Sequence, residues 1–106
     1  MDQEYAWYGS YPETAKAIGD SPPRHEHLAE VIRVAAKTYP DRPAVSTQLP
    51  NGACATLKFR DVDRLSADFA VYLREAIGIR TGETVALMSP NCISFLVAAF
   101  GIFSAG

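Results

Sequence analysis

Residues 84–106 read TVALMSPNCISFLVAAFGIFSAG, and the fold class turns on them. Thr84 to Met88 form a short, nearly continuous apolar run, the composition of a strand covered on both faces as in a parallel sheet. Ser89-Pro90-Asn91 turns the chain, and Asn91 has a side chain able to cap a following helix. From about Cys92 to Ser104 the residues read as that helix. Strand, tight turn and helix make the first two-thirds of a βαβ unit, so the pattern predicts an α/β fold.

Between Cys92 and Gly106 only Ser94 and Ser104 carry polar side chains. The run is too short to cross a bilayer, which takes about 20 apolar residues, and reads as a buried core helix. Being apolar nearly all round, it calls for cover on several sides. The chain supplies too little, and the parallel strand that should follow a right-handed crossover is missing. The expectation is an incomplete unit, with Ala105-Gly106 as the helix's stop and Gly101 as the place where a neighbouring backbone comes close.

Upstream, RDVDRLSADFAVYLREAIGI (60–79) places Val62, Leu65, Phe69, Tyr72, Leu73 and Ala76 on one helical stripe. Asp61 and Asp63 near its start and Arg74 near its end follow the sign order that the helix dipole favours, and Gly78 suits a left-handed stop. Two carboxylates could signal acid/base or metal chemistry. Spaced two apart, they point to different sides of a helix, so the reading is a solvated first turn. Before this helix, AVST (44–47) and ATLKF (55–59) read as two strands of a β-hairpin, with Pro50-Asn51-Gly52 as a turn chosen for its backbone angles rather than as a binding loop.

Still further upstream, Leu28, Val31, Ile32, Ala35 and Tyr39 predict a helix from about 27 to 38, ended by Pro40. Residues 1–24 show no sustained period and read as an irregular leader. Its aromatics Tyr5, Trp7, Tyr8 and Tyr11 fit a strap over the chain's own core better than a subunit arm or a membrane-interface anchor. The organisation is thus a leader, 1–24, and one incomplete domain, 25–106.

Composition bounds the function. At 106 residues the chain holds one domain or a piece of one, and 21% charged with 48% apolar residues is ordinary for a folded protein. Ten basic residues against twelve acidic ones leave no cationic excess for a nucleic-acid backbone, so nucleic acid is not an expected partner. The N-terminus has acidic residues and lacks the basic n-region of a signal peptide, so an intracellular protein is expected, without a transmembrane segment. Cys54 and Cys92 fit no metal-ligand spacing and read as reduced, partly buried thiols. His25 and His27 lack a third ligand and read as solvated.

TYPDRPAV (38–45), LKFRDVDRLSADFAVYLREAIGIRTGETVALMSPN (57–91) and FGIFSAG (100–106) resemble the N-terminal segment of the AMP-forming acyl-CoA synthetases, the adenylate-forming enzyme superfamily. With the WYGSYPE leader, the chain is most similar to bacterial long-chain fatty acid–CoA ligases. The resemblance implies the first helices and strands of a large N-terminal domain. It also implies a parent that turns a fatty acid into an acyl-adenylate with ATP and Mg2+ and then passes the acyl group to CoA. The resembling motifs are structural. The family's phosphate-binding loop, acidic magnesium ligand and catalytic lysine have no counterpart in residues 1–106, and Gly78 and Gly82 are too sparse to cradle phosphates. No catalytic, cofactor-binding or metal-binding residue is therefore assigned, and the chain alone is expected to be inactive.

Lys58 departs from the pattern, standing where relatives often carry a capping Thr, and the lost cap is expected to cost about 1 kcal/mol. The partners implied are the remainder of the ligase domain and, for the parent, fatty acid, ATP and CoA in the cytoplasm. Peripheral contact with the inner face of the membrane and a homodimer are both compatible with this reading. Two other readings stand beside it: a stand-alone module docking through its apolar last helix, and a piece of a related acyl- or aryl-adenylating ligase.

Overall fold

The computed structural model describes residues 5–19 and 21–106; residues 1–4 and 20, parts of the leader, lie outside the described residues. In chain order the elements are α1 (Glu13–Gly19), α2 (Leu28–Thr38), β1 (Pro43–Gln48), β2 (Cys54–Lys58), α3 (Phe59–Tyr72) and α4 (Ile93–Ala105). Tyr8–Ser10 add a 3-10 turn, and Leu73–Ile77 continue α3 as one wider π turn.

Packing centres on α3, which lies against α2 on one side and α4 on the other. The start of α3 shows how its orphan N–H groups are satisfied without a side-chain cap from Lys58. The Asp61 carboxylate accepts the Lys58 N–H at 3.2 Å. The carbonyls of Arg42 and Pro40 accept from Phe59 and Arg60 at 3.1 and 3.2 Å. The Lys58 ammonium, which has no acceptor to offer, instead meets Asp41 at 3.2 Å, joined there by Arg60 at 2.9 Å. The helix therefore draws on the loop before β1 for partners, which offsets the cost expected of Lys58. Gly78 ends the π turn at φ +83°, and its N–H reaches the Leu73 carbonyl, as its left-handed role requires.

The buried residues are mostly small: Ala29, Ile32 and Ala36 of α2, Val62, Ser66 and Ala70 of α3, Leu73, and Gly101 and Ala105 of α4. Only Val62 and Leu73 of the expected α3 stripe, and only Ile32 of the α2 stripe, are among them. Leu65 and Phe69 are half-buried, Tyr72 and Ala76 exposed, and Leu28, Val31 and Tyr39 largely wet. The reason is interhelical distance. A Cβ placed on Gly101 would lie 2.7 Å from Phe69 Cδ1 and 3.0 Å from the Ser66 carbonyl oxygen. Only small residues can face each other at that separation. The Ser66 hydroxyl donates to the Val97 carbonyl at 3.2 Å and fastens the seam.

β1 and β2 pair antiparallel, with Gln48 opposite Cys54, Ser46 opposite Thr56, and a bulge between Pro43 and Val45. At the tip, Asn51 Oδ1 accepts the Ala53 N–H at 3.0 Å and Gly52 sits at φ +86°, so the Pro-Asn-Gly segment is spent on its own turn.

Other expectations fail as well. Thr84–Met88 form no strand: the one sheet among the described residues is β1–β2, and an extended segment without a neighbouring strand has no ladder to join. Nor do the leader aromatics strap the core. Tyr5 stacks on Trp7 at 4.8 Å and Tyr8 meets Tyr11 edge-on at 6.4 Å. Neither the 3-10 turn nor α1 contributes a buried residue. Within the stretch read as irregular, Glu13–Gly19 is helical, with a Glu13–Lys16 ion pair at 2.9 Å. The radius of gyration is 17.6 Å, against about 13 Å for a closed domain of this length. The apolar α4 is correspondingly only half-covered over most of its length.

Candidate functional site

A groove of about 380 Å³ lies where the hairpin meets the start of α4, lined by Val45, Thr47, Gln48, Asn91, Cys92 and Phe95 among others. Asn91, expected to cap α4, does not. The cap residue is Cys92, without a side-chain bond to the helix, and Thr47 Oγ1 reaches across from β1 to accept the Ile93 N–H at 3.1 Å. A hydroxyl 46 residues away thus does the work that local sequence suggested for Asn91.

Cys92 has the one perturbed thiol in this groove. The Phe95 backbone N–H holds its pKa below that of an ordinary thiol, helped by the Ser89 hydroxyl 3.7 Å from the sulfur and by Ser94, while partial burial opposes the shift. Hydrogen-bond donors at a helix start favour the thiolate. The groove's walls are otherwise neutral, so they offer hydrogen bonds and apolar contact but no charge to clamp a phosphate.

Two other concavities flank α3. One, of about 340 Å³, is apolar and lies between Leu65 and Phe69 of α3 and Ile93, Val97 and Ala98 of α4. The other, of about 470 Å³, is lined by Arg33, Lys37, Asp63, Val71, Arg74 and Ser104. It carries three basic side chains, Arg33 and Lys37 of α2 and Arg74 beyond α3, beside the carboxylate of Asp63.

The residues weighed in the sequence disperse. His25 stands 3.9 Å from Glu30, and His27 lends its carbonyl to the Glu30 N–H at 3.0 Å. Asp61 caps α3 while Asp63 faces the basic concavity, so the two carboxylates do separate. Cys54 is exposed, contrary to the expectation of a partly buried thiol, and both cysteines are free. Among the described residues, no three His, Cys, Asp or Glu side chains converge as metal ligands would. The spacing Ser89-x-x-Cys92 before a helix was the only sequence signal for the perturbed thiol; nothing in the sequence pointed to Thr47.

Comparison with known proteins supplies what the geometry lacks. The family model described as AMP-binding enzyme matches residues 32–106. The long-chain-fatty-acid–CoA ligase of Salmonella typhimurium is 38% identical over 100 residues, covering 94% of this chain and 17% of that protein. The ligase of the same name from Yersinia pestis is 37% identical over 103 residues, covering 97% and 17%. The salicyl-AMP ligase / salicyl-S-ArCP synthetase of Mycobacterium tuberculosis is 34% identical over 79 residues, covering 74% and 14%. The chain spans about a sixth of the length of the fatty-acid–CoA ligases it matches. No solved structure matches it.

Proposed function

This chain belongs to the AMP-binding enzyme family, and on that premise we propose that it serves as the N-terminal portion of a bacterial long-chain fatty acid–CoA ligase. The observation that carries the reading is the 37–38% identity to two ligases of that name, running through 94–97% of the chain. The salicyl-AMP ligase match is shorter, which favours a fatty acid over an aryl acid as the substrate.

In this reading the whole enzyme consumes a long-chain fatty acid, ATP and CoA, with Mg2+, and works in the cytoplasm or against the inner face of the membrane. The described residues do not fit ATP or its metal. Of the positive-φ glycines, Gly52 and Gly78 stand in separate turns and Gly82 and Gly106 meet through one bond, from the Gly82 N–H to the Gly106 carbonyl at 2.7 Å, and the groove at the start of α4 is lined by neutral residues. No chemical step is assigned to this chain. Its part is architectural: α3 and α4 form a preassembled seam, and the apolar surfaces left half-covered along α4 are faces for the remainder of the ligase domain.

The test is a chimaera. The 106-residue chain alone is expected to show no palmitate-dependent ATP–pyrophosphate exchange. Placed in the Salmonella typhimurium ligase instead of the matching segment, it is expected to support palmitoyl-CoA formation. A soluble, folded chimaera without thioester formation would overturn the reading, as would exchange by the chain alone.

A further inference from the structure

We draw no further inference here: the strongest candidate, the groove between the hairpin and the start of α4 with the Cys92 thiol in its wall, rests on a single cysteine at a helix start, and nothing in the structure shows what would occupy it.

Discussion

The α3–α4 seam and the segment Thr84–Met88 are both apolar and both adjoin α4, yet one is sealed and the other open. At the seam, each helix satisfies its own backbone, so two helices need only small side chains to close on each other. Ser66, Ala70, Gly101 and Ala105 provide them, and the hydroxyl of Ser66 finds the Val97 carbonyl. The segment has a comparable apolar composition, but an extended backbone cannot satisfy itself. Apolar content is therefore enough to assemble helices from one stretch of chain, whereas a strand waits for a neighbour.

The largest effect expected at the seam comes from Gly101→Leu. Its Cβ alone would approach the Ser66 carbonyl oxygen to 3.0 Å, and main chain cannot turn aside as a side chain can. Overpacking of this kind costs about 1–3 kcal/mol or more. An open helical glycine would instead gain stability on substitution, by up to roughly 1 kcal/mol for Ala. The urea midpoint of unfolding decides the sign, and a rise would mean that the helices do not touch at Gly101.

A smaller effect, about 1 kcal/mol, is expected for Thr47→Val, which keeps the shape of the side chain but leaves the Ile93 N–H without its acceptor. Because this bond ties the hairpin to α4 and lies outside the seam, the loss should appear first as faster amide exchange in the first turn of α4. Protection lost evenly along α3 and α4 would show that the hairpin and the seam unfold as one unit.

The smallest effect is a shift in reactivity. The Phe95 N–H and then the Ser89 hydroxyl stabilise the Cys92 thiolate, so iodoacetamide is expected to label Cys92 with a midpoint below that of the same cysteine in the urea-unfolded chain, and Ser89→Ala to move it upward. The sign carries over to stability. A thiol whose folded pKa is depressed adds stability above its unfolded pKa, and that contribution fades as pH falls through the folded value. A midpoint unmoved by Ser89→Ala would remove the hydroxyl from the account.

Local chemistry was enough to read several elements directly. The stripe from Leu28 to Ala35 with Pro40 beyond it, the turn residues Pro50-Asn51-Gly52, the left-handed stop at Gly78 and the apolar run from Ile93 each act over a few residues, and their elements stand as expected. Similarity along 32–106 carried the family in the same way, through residues that shape the scaffold rather than the chemistry.

What lay beyond the sequence depends on contacts between distant residues. Periodicity selected the large apolar side chains of α2 and α3 as the core, but the separation of the helices chose the small ones, because Gly101 brings α4 up to Ser66 and Phe69. The cap of α4 went to Thr47 instead of Asn91 because the hairpin lays a hydroxyl over Ile93. Thr84–Met88 had the composition of a strand and the alternation of one, yet strand identity belongs to a pair of segments. A helix closes its hydrogen bonds within a few residues and can be read one residue after another; a ladder, a cap from across the fold and the distance between two helices exist only once the chain has folded.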